Sequence, residues 1–404
     1  MILSLFLIGY AVTAKHIGAG ITLSGMEMSV TDEGNVTENG FVPFDIDEID
    51  KYVKMNASVI RLPFAWQFMT PELGGELNKN YSAKYFSYVD RAIKLGAYAM
   101  IDLHNYARWD GMAAGQQLSN VTNDHIASLW GKIAKKYAEE PKVIFALMNE
   151  PHSLEMQRWL PTMQMCVNAI REANATSQMV LISGDVHGSS KAFPEWYRTL
   201  KNVTNPDGSK ENIAFELHEY LDSANGTLLG TNCTSNTTQY LKKVFNILKK
   251  DNRTAFFSDA GGQGSPTCIE RLSEQLTYLN SKPEQFLGYT IWGAGSVNDT
   301  ITPQFGNSLI PQPPTKPLVK NETIAEKTLT DHLADVSNIT MPSTTNVTES
   351  KKNNSSDTAE LHKRDSLSTQ VIINTVFVCE VTPNPQITTK TSTIYECASS
   401  PTPM

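Results

Sequence analysis

The stretch Val143-Ile144-Phe145-Ala146-Leu147-Met148-Asn149-Glu150-Pro151 decides the fold. Six apolar residues closed by Asn-Glu-Pro read as a buried parallel strand that stops abruptly. Pro151 cannot donate to a sheet ladder and disfavours a helical Glu150, so the strand ends there. An ionisable carboxylate is thereby fixed at the carboxyl end of a buried strand, where α/β sheets and barrels keep their chemistry. A single Glu after a strand is most often an ordinary surface residue. Here, however, other strands end the same way.

Working outward, short apolar runs predict strands over 21–25, 58–63, 99–104, 143–148, 179–183, 213–218, 255–259 and 286–292. Amphipathic periodicity predicts helices over 45–55, 83–95, 123–138, 154–172, 191–200, 239–250 and 268–280. Eight strands alternating with helices over about 300 residues predict an α/β fold, a closed (β/α)8 TIM barrel, occupying 15–309. From residue 310 the composition changes to Pro, then Ser, Thr, Asn and Lys. Such a segment cannot offset its ordering entropy, so 310–370 is expected to be a disordered, glycosylated linker. Lys363-Arg364 within it is a candidate processing site, and 371–404 a small segment around Cys379 and Cys397.

The chain has 404 residues, of which 40% are hydrophobic and 19% charged, with net charge -8. It has no basic block, so no nucleic-acid partner is expected. Residues 1–14 read as a secretory signal peptide. Asn-x-Ser/Thr sequons at Asn35, Asn56, Asn80, Asn120, Asn174, Asn202, Asn225, Asn252 and Asn298 agree with a secreted glycoprotein. No later segment reaches membrane-spanning length, so no membrane anchor is expected, and a monomer is. Five cysteines without a CxxC or Cys/His cluster predict no metal and no cofactor.

The strand ends carry the chemistry. Arg61 to Trp66 follow the second strand; Asp102, His104, Asn105, Tyr106 and Trp109 follow the third; Asn149-Glu150 the fourth. His218-Glu219-Tyr220 end the sixth, Ser258-Asp259 the seventh and Trp292 the eighth. Two carboxylates across a barrel mouth, ringed by Trp66, Tyr106, Trp109, Tyr220 and Trp292 and lacking metal ligands, suit glycoside hydrolysis. Sugars stack on aromatic rings; one carboxylic acid of raised pKa protonates the leaving oxygen, and the other attacks or activates water.

The motifs RLPFAWQ, IDLHNYARWDG, MNEPH, ELHEYLDS, DAGG and GYTIWGAGS closely resemble those of fungal endoglucanases of glycoside hydrolase family 5, from about Ile21 to Thr300. The resemblance implies endo-β-1,4-glucanase activity by a retaining mechanism, with a β-glucan polysaccharide or oligosaccharide as partner. It assigns Glu150 as acid/base and Asp259 to the nucleophile position. Arg61, His104, Asn149, His218, Tyr220 and Trp292 fall on active-site positions, and Asn105 joins the substrate-binding set. Arg61 and Tyr220 would support Asp259, Asn149 would bind the sugar 2-hydroxyl, and His104 and His218 would hold other hydroxyls. The resemblance also pairs Cys233 with Cys268; Cys166, on the apolar face of its predicted helix, is expected to be an unpaired core residue.

Two departures stand out. The family's Thr-Glu-Thr-Gly-Gly reads Ser258-Asp259-Ala260-Gly261-Gly262 here, one methylene short at the nucleophile. In Gly184-Asp185-Val186-His187, His187 replaces a sugar-stacking Trp. The sequence therefore leaves open a weakened retaining enzyme, an inverting one, and a glucan-binding, wall-associated protein without catalysis.

Overall fold

The computed structural model describes residues 16–37, 40–221, 233, 237–261 and 266–295. The expected signal peptide, linker and C-terminal segment lie outside the described residues.

The strands are β1 (Gly18–Ser24), β2 (Val59–Phe64), β3 (Tyr98–Leu103), β4 (Arg108–Trp109), β5 (Met112–Ala113), β6 (Val143–Ala146), β7 (Met179–Ile182), β8 (Ile213–Tyr220), β9 (Ala255–Gly261) and β10 (Phe286–Gly295). The helices are α1 (Asp47–Lys54), α2 (Trp66–Met69), α3 (Lys79–Lys94), α4 (Asn123–Lys136), α5 (Met156–Glu172), α6 (Phe193–Leu200), α7 (Thr238–Asp251) and α8 (Pro266–Asn280). Eight strands close in the order β1-β10-β9-β8-β7-β6-β3-β2, and β1 pairs with β2 in parallel. This is the expected (β/α)8 barrel. The sequence reading omitted only small pieces: helix α2 and the antiparallel β4–β5 ribbon.

Strand alternation builds two cores. Val59, Met100, Ile144, Ala146, Leu181, Ala214, Phe256 and Leu287 form one cluster and fill the barrel. Their neighbours Ile60, Leu62, Phe64, Ala99, Ile101 and Leu103 belong to the larger cluster shared with the helices. Two residues further along the inward face, Val59 gives way to Arg61, Met100 to Asp102, and Ala214 to Glu216; all three polar groups are fully buried. The barrel is thus apolar at one end and ionic at the other, and the ionic end is the carboxyl end of the strands.

Cys233 is bonded to Cys268 at the start of α8. Cys166, fully buried on α5, is free, and burial pushes its thiol up, as expected of a core cysteine.

Candidate active site

Arg61 is the hub. Its guanidinium contacts Asp102 Oδ2 at 3.0 Å, donates to Asn149 Oδ1 at 2.7 Å and to Asp259 Oδ2 at 3.2 Å. One buried cation thus joins the ends of β3, β6 and β9. The charges need each other: Asp102 stays below its ordinary value although burial alone would raise it, because Arg61 and His104 oppose that cost. His104 Nδ1 contacts Asp102 Oδ2 at 2.9 Å, and its Nε2 faces the Asn149 amide at 3.3 Å.

Asp259 is held by Arg61 on one oxygen and by the Tyr220 hydroxyl, 2.7 Å away, on the other. Burial raises its pKa, against the opposing charges of Arg61 and His218. The backbone is irregular here. Pairing of β9 with β8 passes from Phe257 opposite Leu217 to Asp259 opposite His218. On the other edge, pairing with β10 passes from Phe257 opposite Tyr289 to Ala260 opposite Ile291. β9 therefore carries one extra residue, a bulge that re-aims side chains. It lets the consecutive Ser258 and Asp259 both serve the site: Ser258 Oγ lies 2.8 Å from His218 Nε2 and donates to Glu216 Oε1 at 2.6 Å.

Glu150 has φ +46°, a left-handed conformation rare for a non-glycine residue and typical of functional sites. Its carboxylate is gripped by two imidazoles: His218 Nδ1 at 3.0 Å from Oε1 and His187 Nδ1 at 3.2 Å from Oε2. Burial would raise its pKa, but these bonds and charges hold it well below the usual carboxylate range. His218, desolvated yet flanked by Glu150, Glu216 and Asp259, is pushed up to about 10. The expectation of a carboxylic acid with raised pKa is thus corrected. In the free protein the proton sits on His218, and Glu150 is the anion between the two imidazoles.

Oxygens of Glu150 and Asp259 and a ring nitrogen of His218 lie within 4.8 Å of one another. The structure gathers most of the residues expected from the sequence at the barrel mouth, with three exceptions. Asn105 is fully buried and committed: its carbonyl accepts from the Trp66 amide at 2.7 Å, and its amide donates to Gln67 Oε1 and the Arg108 carbonyl. It clamps the loop and leaves no group for substrate. His218 uses both nitrogens on protein atoms, so it positions Glu150 and is not free to hold a sugar hydroxyl. Trp66, fully buried in α2 against Trp109, is core. The partly exposed aromatics at the mouth are Tyr106 and Trp292; Trp292 stacks on His104 at 5.5 Å and faces the Arg61 guanidinium.

Asp102, Glu216 and Ser258 were not assigned roles from sequence. A signal existed for the first two: each stands two residues before a predicted histidine, on the same strand face. Ser258 had the same two-residue signal, standing two residues after the barrel-filling Phe256; it is Asp259 that the bulge turns to the same face.

Glu219, on the opposite face from His218, is buried and accepts from the Ser190 hydroxyl. Burial pushes it up to about 7 from an ordinary value of 4.5. The folded chain therefore holds a proton that the unfolded chain releases, and stability falls as pH rises through that window, by about 3 kcal/mol in all. Thermal melts at about pH 5 and about pH 8 should differ less in Glu219→Gln than in the natural protein, with the variant the more stable at the higher pH.

The model of the family described as Cellulase (glycosyl hydrolase family 5) matches residues 16–295. Endoglucanase EG-II of Hypocrea jecorina is 36% identical over 298 residues, covering 70% of this chain and 71% of that protein. The manganese dependent endoglucanase Eg5A of Phanerodontia chrysosporium is 35% identical over 300 residues, covering 72% of this chain and 76% of that protein. The crystal structure of Cel5A (EG2) from Hypocrea jecorina aligns with a TM-score of 0.67 at 35% identity, covering 71% of this chain and 92% of that one.

Proposed function

Because this chain belongs to the cellulase family, glycosyl hydrolase family 5, we propose that it cleaves β-1,4-glucan chains internally with retention, using Glu150 as acid/base and Asp259 as nucleophile. One observation carries the reading: the two carboxylates approach within 4.8 Å. Retaining sites need about 5–5.5 Å, whereas inverting sites need roughly 6.5–9.5 Å to admit a water. Nearest oxygens within that distance favour the shorter, retaining spacing.

In the first step an Asp259 oxygen attacks the anomeric carbon as the glycosidic C–O bond breaks. The leaving oxygen takes a proton from Glu150, which draws it from His218 or His187. Arg61 and Tyr220 hold the attacking carboxylate in line. In the second step Glu150 removes a proton from water, the water oxygen attacks the anomeric carbon, and the Asp259 ester bond breaks. Asn149, fixed between Arg61 and His104, faces the 2-hydroxyl, and Trp292 floors the sugar ring at the cleavage point.

The test is proton NMR of the first products from a soluble β-1,4-glucan. Retention gives the β-anomer first; the α-anomer first would replace this mechanism with an inverting one, and binding without cleavage would leave a glucan-binding protein. One relative is named manganese dependent, so the assay is run on chelated protein with and without Mn²⁺.

Secretion is part of the proposal. Asn35, Asn56, Asn80, Asn120, Asn174, Asn202 and Asn252 are all exposed, as glycan acceptors must be. Protein from a eukaryotic secretory host should lose mass on enzymatic deglycosylation; no mass change would count against glycosylation.

A further inference from the structure

Beside the catalytic pair stands a second group, of which the proposed reaction uses only His187. Asp32, His152 and His187 each place a donor atom within 4.8 Å of the others. They come from the loop after β1, the loop after β6 and the loop after β7, so only the barrel brings them together. His152 Nε2 lies 3.5 Å from Asp32 Oδ1 and 3.1 Å from the Asp32 carbonyl. The His152 and His187 rings stack at 4.7 Å with planes 17° apart.

The loops are built to hold this arrangement. Val186 and His187 both have positive φ, which is costly for a β-branched residue and must be enforced by the surroundings. The His187 amide donates to the Pro151 carbonyl at 2.9 Å, and Asp185 Oδ1 accepts from the Leu154 amide at 3.2 Å. Gly184 permits the turn to press against α6, since a Cβ there would lie 2.3 Å from the Trp196 ring.

We propose that Asp32, His152 and His187 form a binding site for a divalent first-row transition ion of the zinc type. Two imidazoles and one carboxylate are a three-ligand set that such ions take, with open positions left for water. Bond lengths of about 2.0–2.2 Å put ligand atoms on one ion no more than about 4.4 Å apart, so a small inward movement completes the site. The Asp32 side chain, 58% exposed, is free to make it. His187 already turns Nδ1 to the Glu150 carboxylate, which leaves Nε2 for the ion. A carboxylate behind a ligating histidine is the usual outer-shell support of a metal site. Here that carboxylate is the acid/base, so the ion and the proposed catalysis would share His187.

The other cluster, Glu150, His218 and Asp259, is a poorer candidate. Both nitrogens of His218 and both oxygens of Asp259 are engaged by protein partners, and the Arg61 cation is one of them. A dication there would displace those bonds and sit against a like charge.

The proposal holds whether or not Asp259 acts as a nucleophile, because its readout is binding. Full-length protein is stripped with chelator and titrated with Co²⁺, followed by its visible absorption, and with Zn²⁺ by calorimetry. One equivalent of each should bind, with Zn²⁺ displacing Co²⁺. Asp32→Asn, on an exposed side chain that the fold does not need, should weaken binding at least about 100-fold, and His187→Trp should do the same. Asp259→Asn should bind as the natural protein does. No binding by the natural protein, or unchanged binding in Asp32→Asn, would overturn the site. Loss in Asp259→Asn alone would move the ion to the catalytic pair and overturn it equally.

Discussion

Asp259→Glu is expected to raise kcat/KM on soluble β-1,4-glucan by about 10- to 100-fold, with the product anomer still retained. A methylene advances the carboxylate by about 1.5 Å toward the anomeric carbon, and misplacement of a reacting group on the order of 1 Å can cost about 10²-fold. In the natural protein the Asp259 oxygens are drawn back onto Tyr220 and Arg61, both of which reach them at hydrogen-bonding distance. The charge and its supports are in place, and reach is what the shorter side chain lacks. Asp259→Ala should remove activity altogether. Unchanged turnover in Asp259→Ala would sink every version of the mechanism, since none survives loss of that carboxylate. Lower activity with an inverted product in Asp259→Glu would show instead that the natural site works through a water.

Glu150→Gln should lower turnover on unactivated glucan by about 10³-fold or more, the upper part of the range for general acid catalysis. The amide keeps the volume but cannot relay a proton from His218 and His187 to the leaving oxygen. Among the described residues, Asp102 is committed to Arg61 and His104, and Glu216 to Ser258. A substrate whose leaving group departs without protonation separates this role from a structural one. With an activated aryl glycoside, the first step of Glu150→Gln should proceed and the glycosyl-enzyme should accumulate, whereas a merely misfolded variant would accumulate nothing. Rates on unactivated glucan close to those of the natural protein would remove Glu150 from the mechanism.

The sequence by itself determined the barrel and the membership of most of the site. Apolar runs ending in polar residues placed all eight strands, because a strand buried on both faces has a composition that local reading detects. Arg61, His104, Asn149, Glu150, His218, Tyr220, Asp259 and Trp292 all stand at strand ends, and strands that converge on one barrel mouth must bring their ends together. Asp102 and Glu216 were readable through the two-residue period.

Tertiary structure decided the rest, for reasons no local pattern contains. The bulge in β9 is a mismatch of register between neighbouring strands, so it exists only once β8 and β10 are paired with it. That bulge turns Asp259 to the barrel mouth beside Ser258, which the two-residue period from Phe256 already places there. Asn105 carries the same functional groups as Asn149, yet one is spent on a loop clamp and the other lies between Arg61 and His104; what separates them is where the chain turns after the strand. The low proton affinity of Glu150 follows from His187, thirty-seven residues away, meeting its second oxygen. Protonation, ligation and reach depend on distances of a few ångströms between residues remote in sequence, and those distances are set only when the barrel closes.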